Sequence, residues 1–195
     1  MSEQERPGPV KPPLAWPKTG VIDVNYSGEL QTAWACRFGT LTEILKAGVA
    51  RFGDKDMWYF PDHGIRWSFN AFDTVVNNVA YGLYEEYGIR KGDRVALMMT
   101  NVPEAFVSYL ALSQIGAISV IINARLAPEE AARQLEDAGC VAGVIEAALW
   151  DGMQAVVESL PGLKAVFVSG RTPLGRAQAF SELMDRPAPR EIRVD

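Results

Sequence analysis

The strictest constraint on the fold is an alternation of apolar strands and helices that runs from Arg94 to Val168. Arg94-Val95-Ala96-Leu97-Met98-Met99 is an apolar run of strand length. Asn101 follows at an N-cap position, with Pro103 and Glu104 in the first turn of a helix that carries Phe106, Tyr109, Leu110 and Leu112 and closes at Gly116. Ala117-Ile118-Ser119-Val120-Ile121-Ile122 is rich in β-branched residues on both faces, the composition of a buried parallel strand. Pro128-Glu129-Glu130 opens a second helix that runs to Ala138, and Val141-Ala142-Gly143-Val144-Ile145 is a third strand. A helix over 147–159 and a strand at Ala165-Val166-Phe167-Val168 complete the series. Loops this short between strands and helices require right-handed crossovers, so the predicted class is α/β: a parallel sheet with helices on both faces.

The flanking segments read differently. Residues 1–38 hold five prolines between Pro7 and Pro17, which exclude a helix or central strand there; the expectation is a Pro-rich extended arm with Trp16 as its anchor. Thr40-Leu41-Thr42-Glu43 is a capping box leading into Ile44, Leu45 and Val49 at helical spacing. Met57-Trp58-Tyr59-Phe60 and Ile65-Arg66-Trp67 flank a Pro61–Gly64 turn and predict a hairpin with Trp58 facing Trp67. Ser68 then caps a long helix ended by Gly88, with Phe69, Phe72, Val76, Val79, Ala80 and Leu83 on one stripe and Asn70, Asp73, Asn77 and Glu85 opposite. The α/β region therefore spans 39–170. Residues 171–195 read as a loop with a short helical piece from Ala177 to Met184.

Composition narrows the function classes. The 195 residues carry 19 Lys and Arg against 24 Asp and Glu, a net charge of −5, which speaks against a nucleic-acid partner and against docking on anionic lipid. No apolar run is long enough for an integral membrane segment, and the polar start Met1-Ser2-Glu3-Gln4-Glu5-Arg6 is unlike a signal peptide, so a cytoplasmic location is expected. Cys36 and Cys140 read as two reduced thiols without metal-ligand spacing, and the single histidine, His63, as a solvated turn residue. The strand-to-helix turns Thr100-Asn101-Val102-Pro103 and Asn123-Ala124-Arg125-Leu126-Ala127 contain no glycine, so neither forms the backbone cradle that phosphate needs. Gly170 to Gly175 lacks the Lys-Ser/Thr that completes a P-loop and reads as a surface loop. Glu129-Glu130 complement a helix dipole, while Glu85-Glu86 and Glu136-Asp137 read as solvated helix faces. Arg125 lies in a loop at the carboxyl end of a parallel strand, where open α/β sheets bind ligands, although a salt bridge is its expected role.

Taken in order, several segments resemble the adenylate-forming (AMP-binding) superfamily. Gly88-Ile89-Arg90-Lys91-Gly92-Asp93-Arg94-Val95-Ala96 resembles its G-V-x-K-G-D-R-V-A stretch, and Asn101-Val102-Pro103-Glu104 its N-S-P-E. Ala111-Leu112-Ser113-Gln114-Ile115-Gly116-Ala117 with Asn123-Ala124-Arg125-Leu126 is similar to the form in the acyl-CoA synthetase branch, which includes long-chain fatty-acid–CoA ligases. Arg66-Trp67-Ser68-Phe69 resembles a degraded form of an opening motif, with Asn70, Ala71 and Phe72 where a Glu-Leu pair belongs. The resemblance covers residues 40–170 and implies the N-terminal part of the large domain of an AMP-forming acyl-CoA synthetase, whose full-length parent uses ATP, Mg and CoA. It places the phosphate loop, the metal-binding glutamate and the catalytic lysine beyond Asp195. Hence it assigns no catalytic, cofactor-binding or metal residue here, and no cofactor to this chain alone. The implied partner is the remainder of the parent enzyme, with self-association through uncovered apolar surface. The alternative is a stand-alone, non-catalytic α/β binding or interaction module derived from that family.

Overall fold

The computed structural model describes residues 21–26, 29–34, 39–171 and 175–192. Trp16 and Cys36 lie outside the described residues. Within the segment expected as an extended arm, the backbone of β1 (Val21–Tyr26) pairs antiparallel with β2 (Glu29–Trp34), a hairpin that the prolines further upstream gave no reason to expect.

Helix α1 (Leu41–Phe52) starts as its capping residues dictate: Thr40 Oγ1 accepts the Glu43 N–H at 3.1 Å. The Glu43 carboxylate reaches one residue further back than a capping box requires and accepts the Gly39 N–H at 2.7 Å. Strands β3 (Asp56–Phe60) and β4 (Ile65–Ser68) form the expected hairpin around a 3-10 turn at Pro61–His63, with Trp58 opposite Trp67. Ser68 Oγ accepts the Ala71 N–H at 3.2 Å and starts α2 (Phe69–Tyr81). Phe72, Val76, Val79 and Leu83 are fully buried, each contributing roughly 1.5–3 kcal/mol by apolar transfer. Helices α1 and α2 pack closely because Gly48 has no side chain: a Cβ there would lie 2.7 Å from the Phe69 ring. The last turn, Gly82–Glu86, is π-helical rather than a plain continuation of α2.

The βαβ series follows: β5 (Arg94–Met98), α3 (Pro103–Gln114), β6 (Ile118–Ile121), α4 (Pro128–Asp137), β7 (Ala142–Glu146), α5 (Ala147–Ser159) and β8 (Ala165–Ser169). A two-residue strand, β9 (Gln178–Ala179), and a short helix, α6 (Ser181–Asp185), close the described chain. The sheet order is β6-β5-β7-β8-β9, every pairing parallel, so the expected α/β class is observed. One face carries the core built with α1, α2 and α3 (Phe72, Val79, Val107, Leu112, Phe167); the other carries the core built with α4 and α5 (Ile122, Leu135, Trp150, Met153, Val166).

Four local expectations are corrected. Val102, not Asn101, is the N-cap of α3, because Pro103 takes the first helical position and fixes the start one residue later. The buried side of α3 is Val107, Ser108, Ala111, Leu112 and Ile115, while Phe106 and Leu110 are half-buried and Tyr109 is 44% exposed. Strand β6 is not interior: it ends the sheet, leaving Ile118 and Ile121 on the surface. The stretch expected as one helical piece from Ala177 contributes β9 before it turns into α6. No helix among the described residues is long and apolar enough to cross a membrane.

Candidate functional site

Chain topology selects where a ligand site can lie. From β5 the chain enters α3 on one face of the sheet and reaches β6; from β7 it enters α5 on the other face. The adjacent strands β5 and β7 thus send their loops to opposite sides, which opens a crevice at their carboxyl ends, the usual ligand position in an open α/β sheet.

That crevice is bridged from within. Glu146 ends β7 and is the N-cap residue of α5, and its side chain reaches across to the loop after β5. Its Oε2 accepts the Thr100 N–H at 2.7 Å and the Thr100 hydroxyl at 2.8 Å. Charge-assisted bonds of this length join the two loops. Beside them, on the α3 face, lies a cleft of about 240 Å³ lined by Leu97, Met99, Asn101, Phe106, Tyr109 and Ile121. Its walls are mostly apolar, and no lysine or arginine is among them.

The second loop at this end also satisfies its own backbone. Asn123 Oδ1 accepts the Arg125 N–H at 3.0 Å, and the Asn123 carbonyl accepts the Leu126 N–H at 3.1 Å. Arg125 is exposed, and its guanidinium makes no ion pair among the described residues, so the salt bridge expected for it does not form there. Glu130 accepts the Ala127 N–H at 3.1 Å and caps α4, consistent with its reading as a residue of the helix start. His63 is exposed in its 3-10 turn, with its ring edge-on to Phe60 at 6.3 Å. Glu85 and Glu86, read as solvated, pair with Arg190 and Arg186 of the C-terminal segment.

A second cleft, about 310 Å³, opens at the opposite end of the strands between Leu135, Gly139, Cys140, Leu160 and Leu163. Burial pushes the Cys140 thiol up from its ordinary value, and the nearby Arg94 charge only partly opposes it, so the group is a poor nucleophile. Arg94 itself is spent on carbonyls at the end of α4, Ala138 at 3.0 Å and Gly139 at 2.9 Å. Sequence reasoning named Arg125 but missed the Thr100–Glu146 bridge; its one visible signal is an acidic residue directly after the apolar strand at Ile145.

Comparison with known proteins agrees on one relationship. The profile of the family described as AMP-binding enzyme matches residues 45–191. The chain is 31% identical over 166 residues to "Protein Y" of Streptomyces griseus, covering 80% of this chain and 53% of that protein. It is 44% identical over 94 residues to the crotonobetaine/carnitine–CoA ligase of Salmonella paratyphi B, covering 47% of this chain and 18% of the ligase. The fold superposes on a long-chain-fatty-acid-CoA ligase from Archaeoglobus fulgidus with a TM-score of 0.68 at 25% identity, over 80% of this chain and 31% of that one. The chain thus spans about half the length of one relative and less than a third of the other two.

Proposed function

The chain belongs to the AMP-binding enzyme family, and on that premise we propose that it forms the N-terminal α/β scaffold of an AMP-forming acid–CoA ligase. The parent joins a carboxylate to the AMP portion of ATP, releases pyrophosphate, and passes the acyl group to the thiol of coenzyme A. The observation that carries this reading is the profile match over 45–191, which covers the whole five-stranded sheet.

The residues present do not fit a triphosphate, and this defines the chain's share of the work. Adenylation depends on cations and N–H donors placed around the transferring phosphates. At the switch point the donors of Thr100 are taken by Glu146, and the Arg125 N–H is taken by Asn123. The adjoining cleft is apolar, with a carboxylate at its rim. Among the described residues no three His, Cys, Asp or Glu side chains come together as metal ligands. On this reading ATP, magnesium and coenzyme A belong to the parent, in the cytoplasm, and the remainder of the parent is this chain's partner. Adenylation by this chain alone is not expected.

ATP–pyrophosphate exchange over a panel of carboxylic acids tests the reading. The isolated chain is expected to give no acid-dependent exchange, whereas the chain extended by the codons that follow Asp195 in its gene exchanges with at least one acid. Exchange by the isolated chain overturns the scaffold reading. A stop codon directly after Asp195, together with saturable binding of a small ligand, replaces it with the stand-alone binding module.

A further inference from the structure

We infer that the face formed by α2 and α3 is a receptor for an extended polypeptide main chain, occupied by residues 184–192 as a strap that can be released while the sheet stays folded. The grip is made by three side-chain amides in a row. Asn78 is buried; its Nδ2 donates to the Met184 carbonyl at 2.8 Å and its Oδ1 accepts the Ala188 N–H at 2.9 Å. Asn77 Nδ2 donates to the Arg190 carbonyl at 3.3 Å. Gln114 Nε2 donates both to Asn77 Oδ1 and to the Ile192 carbonyl, each at 3.0 Å. Every one of these bonds to the strap reads main chain, not a strap side chain.

The strap is suited to such a grip. In Pro187-Ala188-Pro189 only the central residue has an N–H, and Asn78 takes it. The two prolines forbid helix and pre-set an extended backbone, so little conformational freedom is lost on docking. Each end has an apolar anchor. Ile192 is buried in the face, and Leu183 sits over Gly82, where a Cβ would come within 2.5 Å of Leu183 Cδ2. Gly82 opens the π-helical turn that carries Glu85 and Glu86, which pair with Arg190 and Arg186 at the rim. Those rim pairs are solvated and contribute little beside the amides.

The strap is a separate opening unit because it adds no strand to the sheet and is fastened by a few side chains of α2 and α3, with one ion pair to α1 between Lys46 and Glu191 at 3.1 Å. Local units of this kind open well below the free energy of global unfolding. Release frees whatever chain continues beyond Ile192 to move relative to the sheet. This holds whether the protein is a ligase scaffold or a stand-alone module.

Hydrogen exchange on the full chain, read peptide by peptide, tests it together with trypsin cleavage at Arg190; the Arg186 bond is followed by Pro187 and is no substrate. In the wild type, strap amides should exchange faster than those of β5 and β7, yet Arg190 should resist brief proteolysis. Asn78→Ala and Gly82→Ala, one removing the central amide and the other blocking the Leu183 seat, should each speed strap exchange and cleavage about tenfold to a hundredfold. Exchange in β5 and β7 should change less than about twofold, and Arg190→Ala should barely move the strap. The proposal is overturned if strap and sheet exchange rise together, if neither variant loosens the strap, or if either variant fails to fold, since release would then cost the fold itself.

Discussion

The two edges of the five-stranded sheet are built on opposite plans. Strand β9 has two residues, Gln178 and Ala179, yet its edge is closed: Phe180 follows it into the core, fully buried, donating its N–H to the Val168 carbonyl at 2.9 Å. Helix α6 and the strap continue from there over α2. Strand β6 has four residues, Ile118-Ser119-Val120-Ile121, paired to β5 on one side only, with Ile118 49% and Ile121 66% exposed. It has no charge, proline or bulge of the kind that protects a free edge. What finishes an edge here is not strand length but whether the chain that follows turns back onto the core. The β6 edge keeps an apolar strip continuous with the cleft at Tyr109 and Ile121.

The largest expected effect separates the two edges directly. Phe180→Ala should destabilise the chain by about 3–5 kcal/mol, through lost burial and the cavity left against Phe167. Ile121→Ala should change stability by less than about 0.5 kcal/mol. Urea unfolding followed by circular dichroism measures both. Equal losses would mean that the β6 edge is already covered in solution, by a second copy, and the contrast would fail.

The same contrast marks what could be read from the sequence. The early helices and the βαβ series were legible because each strand of the series is a compact apolar run and the helices have local starts, such as Thr40, Ser68 or Pro128, whose geometry needs nothing distant. Strand order is a long-range property, so β6, with its interior-like composition, was placed in the interior although the chain crosses back past β5 and leaves it outside. Two-residue β9 is too short to show any period. The roles of Asn77, Asn78 and Gln114 depend on partners at separations of 78 to 113 residues. At the candidate site the glycine-free turns were visible, but the Thr100–Glu146 bridge joins residues 46 apart. In helix α3, Tyr109 lines the cleft and is exposed, while Phe106 lines the cleft and also packs on the core, its ring 4.5 Å from that of Trp58.

A middle-sized effect belongs to the closed edge alone. Tyr87 donates its hydroxyl hydrogen to Gln178 of β9 and lays its ring edge-on to Phe167 at 4.8 Å. Burial, and then the Glu86 and Glu182 charges, raise its pKa above the ordinary 10.0, outweighing the Arg186 charge. The folded chain therefore holds this proton after the unfolded chain has released it. The group's contribution is complete below pH 10.0 and declines as pH rises from there through the folded value. Tyr87→Phe keeps the ring and should lose about 1 kcal/mol at neutral pH. The gap between wild type and variant should then narrow above pH 10.0 in urea titrations. A gap that stays constant with pH would detach Tyr87 from the closed edge.

The smallest effect on stability should accompany the clearest effect on association. Ile121→Lys puts a charge on the exposed edge strand, where it is solvated and displaces no packed group, so unfolding free energy should move by less than about 0.5 kcal/mol. A lysine there nevertheless obstructs pairing of a second strand, because that strand would have to bury an ammonium group against an apolar strip. Light scattering of the isolated chain should show concentration-dependent self-association and binding of an apolar dye, both reduced in the variant. A Lys substitution at Glu182, exposed on α6 beside the closed edge, should leave both readings unchanged. If the wild-type chain is monodisperse and binds no dye, the β6 edge is not an open docking surface, and the two edges differ in construction without differing in behaviour.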